Sequence, residues 1–287
     1  MDENLELAFL SLEGLALGDA FGEQFFRKQN RALIPRRQLP AGIWRWTDDT
    51  HMALSIVEML EEAGTIIPDE LAKKFAYRFS KDAHRGYGRG AAHLLSAIAN
   101  GASWRDFAPK LFNGGSYGNG AAMRVAPLGA YFNDDINRLT DEAMKSAMVT
   151  HYHPEGQAGA VAVALGAAYA AREILTESDE FFGKVLQCVP ESEVKDKIFQ
   201  ASKIPKEEHQ RAAEELGTGR YVSAQDTVPY CLWCATHYGH SYEDALWMAI
   251  RHGGDLDTLG AIVGGIVVLN VKKLPEDWLA HREPLKG

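Results

Sequence analysis

Apolar residues in this chain recur every three or four positions and almost nowhere at every second one. In the opening segment Leu5, Ala8, Phe9, Leu12, Leu15 and Ala16 fall on one helical face. After Thr50, the residues Met52, Ile56, Met59 and Leu60 repeat that spacing until Gly64. The same pattern predicts helices over 68–79, 89–99, 140–148, 155–175, 179–188, 206–216, 223–236, 242–251 and 257–270. Only short pieces such as "GIWRW" read as extended. The expected fold class is all-α.

Two of these helices are rich in small residues, "GQAGAVAVALGAAYAA" (156–171) and "GAIVGGIVVL" (260–269). Both are shorter than the roughly 20 apolar residues that a bilayer span needs. They read as buried helices at the centre of a bundle, where Gly and Ala let backbones approach. The stretch 176–220, with "PESEVKDK" and "PKEEHQRAAEELG", is more polar and reads as a solvated periphery that could rim a site. No fixed-period repeat and no low-complexity linker interrupts the chain.

With 46% hydrophobic residues among 287, the chain can bury a sizeable core. Its net charge of −9 at pH 7 argues against stable nucleic-acid binding, though not against a small anion in a local pocket. The start, "MDENLELAFL", is acidic and resembles neither a secretory signal nor a transit peptide. No membrane attachment is expected. Three cysteines offer no disulfide framework, and Cys231 and Cys234 lie in an apolar helical stretch that reads as core. A reducing, cytoplasmic setting is the expectation.

"TDDT" (47–50) and "GGDLDT" (253–258) each place a threonine beside two aspartates just ahead of a helical pattern. Either cluster alone reads as a helix cap. Both together are also consistent with several carboxylates aimed into one small volume. Two carboxylates about 4 Å apart repel by about 4 kcal/mol at an effective dielectric of 20, so four are hard to keep ionised together without cations between them. Thr47, Asp48, Asp49, Asp255, Asp257 and Thr258 are hard oxygen donors with no His or Cys among them. That set favours Mg²⁺, Mn²⁺ or Ca²⁺ and suits two octahedral ions.

Five blocks, "GLALGDAFG" (14–22), "WTDDTHMAL" (46–54), "GSYGNGAAMR" (115–124), "THYHPEGQA" (150–158) and "GGDLDTLGAIVGG" (253–265), resemble the ADP-ribosylglycohydrolase family in the right order over most of the chain. The resemblance implies a compact orthogonal bundle of helices, one domain over 1–287, acting as a monomer. It implies two Mg²⁺ or Mn²⁺ ions on the six donors just named. The activity it implies is hydrolysis of the glycosidic bond between ADP-ribose and a protein side chain or small conjugate. Gly115, Ser116, Tyr117, Gly118 and Asn119 would hold the diphosphate and its neighbouring ribose. A glycine-rich loop of this kind can also form an anion nest through its backbone N–H groups. Asp49 or Glu23 is expected to take the proton of the attacking water.

His151 is expected to touch the substrate or to make a local hydrogen bond, and His153 is assigned no role. Met123 reads as core, and Arg124 as an internal salt-bridge partner or, alternatively, a group facing phosphate. Asp19 follows the family pattern, either as a structural hydrogen-bond acceptor or as a support for the metal ligands. The chain departs from the family at Phe26, where many members carry glutamate, and at Gly86 and Tyr87, where many carry an acid. These changes leave open a non-catalytic, crystallin-like relative that binds ADP-ribose or is purely structural. A two-metal nucleotide phosphohydrolase is a further alternative.

Overall fold

The computed structural model describes residues 2–285; Met1, Lys286 and Gly287, at the edges of the expected domain, lie outside the described residues. The first helix, α1 (Glu3–Glu23), begins where the Asp2 carboxylate accepts from the Asn4 N–H. Helix α2 (Asp48–Ala63) stops at Gly64, whose φ of 62° is the left-handed conformation that ends many helices. There follow α3 (Pro68–Lys81), α4 (Arg89–Ala99), α5 (Trp104–Phe107), α6 (Ala126–Tyr131) and α7 (Ile136–Met148). The second half holds α8 (Pro154–Ala171), α9 (Ser178–Cys188), α10 (Glu193–Ala201) and α11 (His209–Leu216). It closes with α12 (Val228–Tyr238), α13 (Tyr242–Ile250), α14 (Leu256–Val271) and α15 (Glu276–Leu279). Among the described residues there is no strand, only the isolated bridges Trp44 to Arg282 and Gly118 to Ser223. The fold is all-α, and no helix in it is long and apolar enough to cross a membrane.

The two small-residue segments are the centre of the bundle. Every residue from Ala158 to Ala170 on α8 and from Thr258 to Leu269 on α14 is buried. Their composition matters most where α14 meets α1. A Cβ on Gly14 would lie 2.5 Å from the Gly264 carbonyl oxygen, and a Cβ on Gly264 would lie 2.5 Å from that of Gly14. Gly18 and Gly260 oppose each other still more closely, and Gly22 sits on the Leu256 carbonyl. Steps of four residues on both helices place these contacts on one face, and the pairing order makes the helices antiparallel. The seam therefore sets the C-terminal end of α1 against the N-terminal end of α14.

A second tie fixes α2 to the same end of α1. Asp19, one residue past Gly18, accepts from the N–H groups of Thr47 at 2.9 Å and Thr50 at 3.1 Å, and from the Thr50 hydroxyl at 2.6 Å. The "GIWRW" segment that leads into α2 is held by backbone bonds of Trp44 to His281 and Glu283. Arg85 reinforces it by stacking 3.6 Å over the Trp46 ring and pairing with both Glu283 oxygens.

Some boundaries differ from expectation. The helix expected over 155–175 stops at Ala171 as Glu173 turns to φ 62°. Residues 206–216 split into a 3₁₀ turn and α11, and α12 starts only at Val228, with Pro229 in its first turn. Helices α5, α6 and α15 are too short to show a period in the sequence, and α10 is hidden in a polar stretch. The polar stretch that contains α10 still buries Val194, Ile198 and Ala201 on one face. Cys231 and Cys234 are free and fully buried on α12, and burial pushes both thiols up, as packing residues require.

The seam predicts an asymmetry between glycines. Gly18→Ala drives a methyl group into the Gly260 carbonyl and should cost at least the roughly 1–3 kcal/mol of ordinary overpacking. Gly183→Ala, inside α9 with open space around it, should stabilise by roughly 0.5–1 kcal/mol. Urea unfolding of both variants checks this; equal midpoints would remove the seam from the account.

Candidate active site

At the start of α2, Thr47 is the capping residue: its hydroxyl oxygen accepts from the Asp49 N–H at 3.4 Å. Asp48 and Asp49 occupy the first turn, so neither is needed as a cap. The Asp48 N–H donates to the Arg85 carbonyl at 2.7 Å. Asp49 Oδ2 accepts from the Thr47 hydroxyl at 3.0 Å, while its Oδ1 is buried with no partner among the described residues. At the start of α14, Asp255 sits in the capping position but makes no side-chain cap bond. Its Oδ2 accepts instead from Asn119 Nδ2 at 2.8 Å. Asp257 Oδ1 accepts from the Thr258 N–H at 2.8 Å.

The two clusters feel one another. Burial, followed by the charges of Asp19 and Asp255, pushes Asp48 up to about 7. Burial pushes Asp49 well above the usual carboxylate range, and Asp257, Asp19, Asp48 and Asp255 add repulsion. Asp257 is raised in the same way, by burial first and then chiefly by Asp255 and Asp19. Asp255 is raised by burial against the opposing hydrogen bond from Asn119. Asp19 itself is pushed up to about 6 by burial, in spite of the bonds it accepts. Its oxygens are committed to Thr47 and Thr50, so its part is to anchor α2.

A cavity of about 580 Å³ joins these carboxylates to the glycine-rich loop, a size typical of small-molecule sites. Asp48, Asp49, Asp255, Asp257 and Thr258 line it together with Ser116, Tyr117, Gly118, Asn119 and His151. Thr47 lies just behind this wall, holding Asp49. Gly115 also lies behind it: at φ 99° its backbone packs so closely on Tyr152 and His153 that no side chain fits. The expected anion nest is partly used up. The Gly118 N–H donates to Ser116 Oγ at 3.2 Å and the Asn119 N–H to the Val222 carbonyl at 3.3 Å. The Asn119 side chain bridges Asp255 and Thr227, so it belongs to the acidic cluster as much as to the loop.

Glu23 is not brought to this cavity. It ends α1 half-buried, with Arg27 as its charged neighbour, and it is absent from the lining. Of the two proton acceptors expected from the sequence, only Asp49 faces the cavity. His151 is buried in the lining, whereas His153 caps α8 by accepting from the Glu155 N–H at 3.2 Å. Arg124 is internal but forms no salt bridge among the described residues: its guanidinium is bonded to the Ser146 carbonyl and the Thr150 hydroxyl. Phe112, Arg89, Tyr221 and Val222 also line the cavity and carry no motif that marks them. Phe112 and Val222 have φ of 52° and 53°, a strained conformation for bulky side chains that clusters at ligand sites.

The donor chemistry fits divalent cations. Four carboxylates face one cavity, Asp48 and Asp49 buried and Asp255 and Asp257 half-buried, with an unpartnered oxygen on Asp49 and no cap bond from Asp255. No group of three or more His, Cys, Asp or Glu side chains among the described residues is already set to hold an ion, so the oxygens share a wall without closing on one point.

The sequence profile of the ADP-ribosylglycohydrolase family matches residues 4–286. The chain belongs to that family. An uncharacterized protein of Archaeoglobus fulgidus is 30% identical over 282 residues, covering 93% of this chain and 88% of that protein. The ADP-ribosylhydrolase ARH3 of Mus musculus is 28% identical over 269 residues, covering 81% of this chain and 72% of its own. The ADP-ribosylarginine hydrolase Tri1 of Serratia proteamaculans is 25% identical, covering 96% and 75%. A solved structure titled as an ADP-ribosylglycohydrolase-related protein complex superposes with a TM-score of 0.65, covering 99% of this chain and 94% of that one at 23% identity, which supports the fold. Membership makes the chain a glycohydrolase of ADP-ribosyl groups in the general sense. The family departures now have places. Phe26 is 40% exposed and outside the cavity lining. Gly86 lines the cavity, and a Cβ there would lie 3.2 Å from Asp48 Oδ1.

A raised carboxylate pKa makes the folded chain bind more protons than the unfolded one. The stability contributed by Asp48 therefore falls as pH rises from about 4 through about 7. With divalent ions removed by a chelator, Asp48→Asn should melt close to wild type near pH 5 and above it near pH 8. A gap that narrows on going to pH 8 would contradict the repulsive cluster.

Proposed function

We propose that the chain hydrolyses the glycosidic bond between ADP-ribose and an acceptor, in a modified protein or a small conjugate, with two Mg²⁺ or Mn²⁺ ions. Thr47, Asp48, Asp49, Asp255, Asp257 and Thr258 would hold the ions. The observation that carries this reading is that both aspartate clusters and the Ser116–Gly120 loop line one cavity. Two bound ions would supply Lewis acidity toward sugar hydroxyls and water.

The chain's own residues supply the rest. Hydrolysis at the anomeric carbon passes through a positively charged, oxocarbenium-like state, which a wall of carboxylates favours electrostatically. Asp49, with an oxygen free of protein partners, is the group placed to accept a proton from the attacking water. Asn119 holds Asp255 in place, and Thr47 holds Asp49. Ser116 and Tyr117 reach the cavity from the loop and are the side chains offered to the ADP-ribose diphosphate and ribose. A phosphate-cutting reading is weaker, because the 115–124 block resembles a loop that holds a diphosphate and carries no carboxylate of its own.

Product analysis on a mixed pool of ADP-ribosylated proteins tests the reaction. Intact ADP-ribose released only with Mg²⁺ or Mn²⁺ is the expected result, and Asp48→Asn or Asp255→Asn should lower its rate by at least about a hundredfold, as loss of a charged transition-state contact does. AMP with ribose phosphate would favour the phosphohydrolase, and no product with tight ADP-ribose binding would favour a non-catalytic relative.

The loop's part is tested separately. Ser116→Ala should weaken ADP-ribose binding by about tenfold, the worth of a hydrogen bond to a charged group, and leave metal content unchanged. Asn119→Ala should lower both, since Asn119 touches Asp255. Calorimetry with ADP-ribose and with Mn²⁺ distinguishes the two.

A further inference from the structure

Arg124 is fully buried, yet it touches no carboxylate. Its guanidinium lies 4.4 Å over the Phe75 ring, and Nη2 donates to the Ser146 carbonyl at 3.0 Å and to Thr150 Oγ1 at 2.9 Å. Guanidinium has donors only, so the Thr150 oxygen accepts from it and the Thr150 hydrogen is directed elsewhere. Thr150 is 2% exposed, which keeps solvent from taking that hydrogen. Among the described residues its remaining hydrogen-bond partner is His151 Nδ1, at 2.8 Å.

We infer that Arg124 and Thr150 are positioning residues that fix His151 in the tautomer whose Nε2–H donates into the cavity. With Nδ1 accepting from Thr150, a neutral imidazole carries its one hydrogen on Nε2. Burial, and then the charge of Arg124, pushes His151 down to about 3, so the ring is neutral at ordinary pH. Nε2 forms no hydrogen bond among the described residues. It lies beneath the loop, where a Cβ on Gly118 would sit 3.3 Å and one on Gly120 3.0 Å from it. Two glycines thus keep the path from Nε2 into the cavity open. A fixed donor there recognises an acceptor that carries no hydrogen of its own, such as a phosphate oxygen, and repels a protonated amine. The role of this donor in holding ADP-ribose rests on the function proposed above; the tautomer does not.

The test is imidazole ¹⁵N NMR of the histidine-labelled full chain, with Thr150→Val and Thr150→Ser beside wild type. In wild type and Thr150→Ser, His151 should show a pyridine-like Nδ1 and a pyrrole-like Nε2. Thr150→Val, which keeps the shape and removes the hydroxyl, should shift His151 toward a mixture and weaken ADP-ribose binding by about tenfold, with Thr150→Ser restoring both. A pyrrole-like Nδ1 in wild type would overturn the inference, as would a Thr150→Val spectrum identical to wild type. Should Thr150→Val fail to fold, the wild-type spectrum decides alone. An Nε2–H tautomer in a protein with no affinity for ADP-ribose would uphold the relay and remove the proposed function instead.

Discussion

Everything at the candidate site depends on how closely α1 lies on α14. Gly14, Gly18 and Gly22 meet Gly264, Gly260 and Leu256 with no room for a side chain. Dispersion contacts between backbones are strongest at such separations, and shape excludes any register but this one. One turn of α1, Asp19 to Gly22, then holds both halves of the acidic cluster. Gly22 presses on Leu256, beside Asp257, while Asp19 gathers the first turn of α2 through Thr47 and Thr50. Two stretches of chain 200 residues apart meet because a single helix face registers both.

That arrangement is locally unfavourable without counter-charge. Asp48, Asp49, Asp255 and Asp257 are all raised, and repulsion from within the cluster contributes for Asp48, Asp49 and Asp257. The nearest buried cation, Arg124, is turned to Ser146 and Thr150 instead of pairing with them. The strained φ of Phe112 and Val222 at the cavity edge adds to the cost. A rigid, apolar centre around α8 and α14 is what lets the fold tolerate this concentration of strain and charge.

Most of the architecture was legible because burial imposes a periodicity. The long helices show it, and the small residues of "GAIVGG" announced close backbone contact, though the glycine steps of "GLALGDAFG" went unread as its partner. The acidic clusters were legible as composition and spacing, and their facing one cavity follows from tertiary contacts. Glu23 falls outside the cavity lining, because nearness in sequence to Gly22 says nothing about which way the end of α1 faces. Phe26 looked consequential by position in the motif, yet it falls outside the cavity lining. Val222 and Phe112 were invisible, since positive φ in bulky residues leaves no mark on a sequence. Asn119 was read as a loop residue, and only the fold reveals its bond to Asp255.

The central proposal is that the α1–α14 seam brings two aspartate clusters to one cavity, where they would hold a pair of divalent ions. Titration of the metal-free chain with Mn²⁺, followed by electron paramagnetic resonance, tests it most directly. The account predicts two tightly bound Mn²⁺ per chain with an exchange-coupled spectrum, as two ions held in one site would give. One bound ion, or two giving only the six-line signal of isolated Mn²⁺, would contradict it.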